Sequence, residues 1–184
     1  MILPIYLYGQ STLRKKSEDL PNNYPNIKEL INNMLETMIK AEGVGLAAPQ
    51  VGLNLNLFVI DATSIDDKEE PDLKNFKRVC INPKFTANSE QKKTAEEGCL
   101  SVPSIHENVA RYIDITVEYY NENFEPIKEQ LTFTKAKIFQ HEMDHLEGII
   151  FTDKINPLRK RMISNRLVSI TKGKQKTSYK TKNL

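Results

Sequence analysis

Gln140-His141-Glu142-Met143-Asp144-His145-Leu146-Glu147-Gly148 is the stretch on which the reading of this chain turns. On a helix, residues i and i+4 leave the same face about one turn apart, so His141 and His145 can reach one metal ion. Glu142, one position on, leans toward whatever water that ion holds, and this is the HExxH arrangement. Phe139, Met143 and Leu146 recur on the opposite side as an apolar stripe, which would seat the helix firmly in a core. A catalytic zinc-like site takes three protein ligands and leaves one position open, so a third ligand is needed from elsewhere. His106, Cys80 and Cys99 are the remaining soft donors. Cys80 lies inside the apolar run Arg78-Val79-Cys80-Ile81-Asn82 and reads as a buried small hydrophobe. Cys99 follows Gly98 in Glu96-Glu97-Gly98-Cys99-Leu100-Ser101-Val102-Pro103, where glycine permits close backbone approach and proline stops a strand. On its own, Cys99 reads as buried filler sooner than as a ligand.

Outward from this helix the chain alternates between two periodicities. Ile27, Leu30, Ile31, Met34, Leu35 and Met38 mark a helix over 27–42 that Gly43 is placed to end. Residues 55–61 and 78–83 read as strands, with an acidic surface loop over 63–77 between them. Ile113, Ile115, Val117 and Tyr119, then Ile127, Leu131 and Phe133 with Glu129 in step, follow a two-residue period on either side of a polar turn. That pattern predicts an antiparallel hairpin with one wet face. Helical spacing resumes from Lys135 to about Gly148 and again from Pro157, where Leu158, Met162 and Ile170 are expected to pack on the body. The class is α+β: antiparallel strands packed around a central HExxH-bearing helix, with a C-terminal helix. Residues 1–171 are expected to form a single metallohydrolase domain and residues 172–184 a basic, mobile tail.

The chain has 184 residues, 39% hydrophobic and 27% charged, which fits one soluble domain. Two cysteines cannot build a disulfide framework, no apolar run is long enough to span a bilayer, and the first residues lack a basic, apolar leader. A cytoplasmic location, with no membrane partner, is therefore expected. The net charge of +2 conceals an asymmetry. All acids lie before Lys154, so residues 1–153 carry sixteen cations against twenty-four acids, a net −8, and ten cations follow. Such a basic end speaks to partners rather than to fold.

A third segment is Gly43-Val44-Gly45-Leu46-Ala47-Ala48-Pro49-Gln50. Its small residues would let an extended peptide lie against the backbone, with the Gln50 amide free to meet an oxyanion; alone, it reads sooner as a helix stop and a tight turn. Together, GVGLAAPQ, EEGCLSVP and QHEMDHLEG, in this order and with these separations, resemble the three signature motifs of peptide deformylase, across essentially the whole chain. The resemblance implies Cys99, His141 and His145 as metal ligands and Glu142 as catalytic acid/base. It also implies Gln50 and the backbone N–H of Leu100 as oxyanion donors, and Gly45 as the residue that pairs with the substrate backbone. The activity implied is removal of the formyl group, as formate, from the formyl-Met of nascent polypeptides.

A Cys/His/His set suits Zn²⁺, Fe²⁺, Co²⁺ and Ni²⁺ alike, and the resemblance implies Fe²⁺ with zinc as the common alternative. Methionine selection needs an apolar pocket, with Val44, Ile138 and the aliphatic stem of Glu97 as its expected walls. Asp144 could buttress a histidine or pair with Arg111, or stand as an exposed carboxylate. Position 106 carries histidine where many bacterial relatives carry arginine, and the 63–77 loop is longer than in compact members. The family docks its C-terminal helix on the ribosome, so the basic helix and tail are expected to do the same. Removal of everything after Thr171 is then expected to spare turnover of short formyl peptides. Two other classes compete. An HExxH metalloprotease shares two histidines and the glutamate but usually takes a third His or Glu. A non-catalytic RNA-associated protein would need an aromatic-interleaved basic platform, which is not evident here, and no DNA contact is expected.

Overall fold

The computed structural model describes residues 1–182. Its main sheet is antiparallel, in the order β2 (Gly45–Ala47), β3 (Leu57–Asp61), β4 (Lys77–Asn88), β7 (Asp114–Tyr120), β8 (Pro126–Thr132). A second antiparallel pair joins β5 (Lys92–Cys99) to β6 (Val102–Tyr112), and a short parallel pair joins β1 (Ile5–Tyr6) to β9 (Thr181–Lys182). The helices are α1 (Ile27–Lys40), α2 (Phe133–Leu146) and α3 (Pro157–Thr171). Among the described residues, no helix is long and apolar enough to cross a membrane.

β3 reads as a continuous apolar run because both faces of the sheet are covered. Leu57 and Val59 face the core that holds Met34 and Met38 of α1 and Leu167 of α3. Phe58 and Ile60 face a second core with Phe139, Met143 and Leu146 of α2. Phe58 and Phe139 meet edge to face at 5.0 Å between centroids, a favoured aromatic geometry. Helix α2 touches β2, β3, β7 and β8 on one side and β6 on the other. The expected apolar stripe is thus buried, and the helix carrying the two histidines is held between the main sheet and the β5–β6 pair.

Four local expectations change. Phe133 does not continue β8; it opens α2 at φ 47° with its ring 54% exposed. The 63–77 segment is more than a surface loop, because Leu73 and Phe76 are buried in the α2 core. Its Glu70 accepts the Thr134 N–H at 3.1 Å, placing a carboxylate at the N-terminus of α2 where the helix dipole favours it. The left-handed residue that ends α1 is Glu42 at φ 58°, not Gly43. Gly43 answers a different need: a Cβ there would lie 2.7 Å from Leu100 Cδ1. Helix α3 packs through Ile163, Leu167 and Ile170, whereas Leu158 and Met162 point outward, 67% and 63% exposed.

The segment expected to trail freely after Thr171 is instead laid back on the body. Gly173, at φ 64°, turns the chain after α3, Lys180 O accepts from Ile5 N at 2.9 Å, and Thr181 pairs with Ile5 in the parallel β1–β9 ladder. Its polar composition hid this, since the anchors are backbone hydrogen bonds that any residue supplies.

Candidate metal centre

Cys99 ends β5, while His141 and His145 stand one turn apart on α2. Where β5 and α2 meet, one ligand atom from each of the three side chains lies within 4.8 Å of the others. Cys99 Sγ is 3.3 Å from His145 Nε2, and burial lowers the pKa of His145 well below its usual value. A neutral imidazole keeps a lone pair for a metal ion. The donor set of one thiol and two imidazoles, converging at the floor of a cleft, fits a divalent transition metal. Cys80 lies fully buried in β4, on the sheet face that packs against α2, and is not part of the cluster.

The outer partners of the histidines are charged and buried. His141 Nδ1 lies 2.9 Å from Glu97 Oε2, which turns its other nitrogen toward Cys99. Arg111 grips Glu97 through Nε at 2.8 Å and Nη2 at 2.9 Å. Burial would raise the pKa of Glu97, but these hydrogen bonds, with His141, hold it at about 2. Glu97 is therefore a fixed anion that accepts the His141 N–H, as outer partners of metal-binding histidines do. The aliphatic stem of Glu97 was expected as a wall of the methionine pocket; Glu97 does line the cleft, and its carboxylate lies against His141. Of the readings left open for Asp144, the structure selects the buried pair, with Arg111 on one oxygen and Lys154 on the other.

Glu142 is buried beside the cluster, and its Oε2 has no hydrogen-bond partner. Burial, the largest influence, raises its pKa to about 7, which suits proton exchange near neutrality. Gly45 lies against this carboxylate: a Cβ there would fall 2.2 Å from Glu142 Oε1. Gln50 is fixed by its own loop, with Oε1 accepting from Ala47 N at 2.8 Å. Its Nε2 is thereby aimed at Ser101 Oγ (3.2 Å) and Cys99 Sγ (3.5 Å). Leu100 follows Cys99 in the tight link between β5 and β6, where Cys99 pairs with Val102.

The cleft above the cluster measures about 460 Å³. Around Cys99, His141 and Glu142 it brings together Val44, Gly45, Glu97, Leu100, Ile138 and His106 of the residues singled out in the sequence. Of the contributors to the site and its cleft that were not foreseen, three stand out. Ser101 is fully buried and receives the Gln50 amide. Ile65 lines the cleft from a loop that reads as polar, and residues 176–179 line it from the C-terminal segment. Only the neighbouring signature residues hinted at Ser101, and nothing in the sequence pointed to the other two.

The chain is similar to known proteins along most of its length. The profile described as polypeptide deformylase matches residues 2–161. The peptide deformylase of Christiangramia forsetii is 47% identical to this chain over 98% of it and 95% of its own length. That of Salinibacter ruber is 41% identical over 97% of this chain and 93% of its own. Among solved structures, a peptide deformylase from Legionella pneumophila superposes with a TM-score of 0.82 at 34% identity, covering 94% of this chain and 96% of that one. The enzyme from Thermotoga maritima gives 0.77 at 37% identity, with 85% and 99% covered. Profile, relatives and fold point the same way, and the chain belongs to the peptide deformylase family.

Proposed function

We propose that this chain removes the N-terminal formyl group of nascent formyl-methionyl polypeptides as formate, with a divalent ion held by Cys99, His141 and His145. The observation that carries this reading is the convergence of those three ligand atoms beside a buried carboxylate with a free oxygen. A divalent cation in such a site lowers the pKa of the water it holds toward ~7 and polarises a carbonyl. Glu142 takes the proton of the attacking water and returns it to the leaving amine nitrogen, one carboxyl group serving both transfers. As water adds, the formyl oxygen becomes an oxyanion, met by Gln50 Nε2–H and the Leu100 N–H; one donor of this kind is typically worth about 10²–10³ in rate. Gly45, at the free edge of β2, pairs with the backbone of the extended substrate, and Val44 and Ile138 take up the methionine side chain. Thiolate plus two imidazoles accommodates Fe²⁺, our choice for the native ion, and also Zn²⁺, Ni²⁺ or Co²⁺.

The basic C-terminal region serves as a ribosome contact in this proposal, and its working face is narrower than its charge count. Lys154, Arg159 and Lys160 are paired with Asp144, Glu107 and Asp153, and Arg166 donates to Ser104 O. Six exposed cations remain: Arg161 on α3, Lys172 at its end, and Lys174, Lys176, Lys180 and Lys182 beyond it.

The test is formate release from formyl-Met-Ala-Ser by anaerobically prepared protein, with acetyl-Met-Ala-Ser alongside. Formate from the first and no deacylation of the second is expected. Absence of formate above a metal-stripped blank would overturn the reading.

A further inference from the structure

The chain after α3 crosses the rim of the cleft as an extended strap. Gln175, Thr177, Tyr179 and Thr181 are half-buried while Lys176, Ser178, Lys180 and Lys182 are exposed, the two-residue alternation of a strand laid on a surface. Gln175 Nε2 donates to Ser104 Oγ at 3.1 Å, and beyond the cleft the β1–β9 pairing secures the far end. Between these anchors the Tyr179 hydroxyl donates to the carbonyl of Leu100 at 2.7 Å. The next carbonyl, Ser101 O, accepts from Tyr8 N at 2.8 Å. The Leu100 side chain rests against Gly43, where no Cβ would fit. Leu100 is thus held by its side chain from the α1 end and by its carbonyl from the strap.

We propose that the strap belongs to the active site and that Tyr179 is a positioning residue, fixing the Leu100 peptide so that its N–H stays aimed at the oxyanion. The proposal rests on the reading of Leu100 as an oxyanion donor. It also replaces the expectation that residues after Thr171 are dispensable for short substrates. A donor contributes to catalysis only if it is aimed before charge develops, and a displaced one loses much of its effect. The Leu100 carbonyl, deprived of its tyrosine, is free to swing toward water, and the Leu100 Cα that joins it to the N–H loses an anchor.

Tyr179→Phe removes the hydroxyl and keeps the ring. With formyl-Met-Ala-Ser, kcat should fall about 5- to 10-fold, the net weight of one hydrogen bond, while KM and metal content stay near wild type. A truncation after Lys174 should lose at least as much in kcat. A readout independent of turnover is amide exchange: Tyr8 N–H, bonded to Ser101 O, should exchange severalfold faster in Tyr179→Phe, with Ile115 and Val117 in β7 unchanged. Wild-type kcat in Tyr179→Phe overturns the proposal, whether or not the truncation is impaired, and so does a change confined to KM. Gln50→Ala separates this from the underlying reading. If Gln50→Ala loses about 10²-fold in kcat and Tyr179→Phe loses nothing, the strap proposal fails alone. If Gln50→Ala also turns over normally, the oxyanion assignment fails with it.

Discussion

Replacing Gly45 by alanine should disable this enzyme without touching a metal ligand. The backbone of Gly45 lies in β2, paired with Ile60, in a conformation that alanine adopts without strain. The obstacle is space. The new methyl would lie 2.2 Å from Glu142 Oε1, 2.6 Å from Cδ and 3.0 Å from Cγ. Non-bonded carbon atoms settle at about 3.5–4.0 Å, so the carboxylate must move by about 1 Å or rotate away. Glu142 is buried, and the contact reaches back along its stem to Cγ, so a small turn at the tip does not relieve it. General acid–base catalysis is typically worth about 10²–10⁴ in rate, and Gly45→Ala should lose a large part of that in kcat. Overpacking of this kind costs about 1–3 kcal/mol of stability, so the protein should remain folded. The assay is formate release against substrate concentration, with metal measured on the same preparation and unfolding followed in denaturant. A kcat within a few-fold of wild type, or a loss that tracks loss of metal, would refute the reasoning.

Cys99→Ala should lose both metal and formate release, whereas Cys80→Ala, buried in β4 away from the cluster, should keep its metal; stoichiometric metal in the Cys99 variant would exclude it as a ligand. Burial would raise the pKa of Asp153, but hydrogen bonds from Arg14 and Lys160 hold it at about 2. Because the folded value lies below the ordinary ~3.9, the stabilisation is complete above about pH 4 and is lost as pH falls through about 2. Discounted for its partial exposure, it amounts to about 1 kcal/mol; Asp153→Asn should therefore be less stable by that margin at pH 7, with the gap closing toward pH 2 in urea titrations. Arg161→Glu combined with Lys172→Glu should reduce co-sedimentation with ribosomes, most visibly at low salt, and leave turnover of a tripeptide unchanged. Equal co-sedimentation across a salt series would remove those cations from the interface.

What could be read in the sequence was whatever repeats with a secondary-structure period or must be one residue type for chemical reasons. The α2 stripe and the alternation in β7 obey the first condition; His141, Glu142, His145 and Cys99 obey the second. The misreadings have the opposite character. Phe133 has strand chemistry and strand phase, yet the chain turns at that residue to start α2. Leu158 and Met162 share a helical period with Ile163 and Ile170, but α3 offers the body a single narrow stripe, which they miss. Leu73 and Phe76 were hidden by the acidic residues around them, and Tyr179 by lysines, because two inward side chains in a polar segment make no pattern. Glu97 could be placed near the metal by its motif, but its role depends on Arg111, fourteen residues away and opposite only after β5 and β6 pair.

The central claim is that three side chains hold a metal ion while Glu142, holding nothing, moves the protons. Glu142→Ala tests it most directly, with formate release and metal content determined on one anaerobic preparation. The account predicts turnover reduced to the blank with metal still near one per chain. Metal loss equal to that of His141→Ala, or turnover that survives, would contradict it.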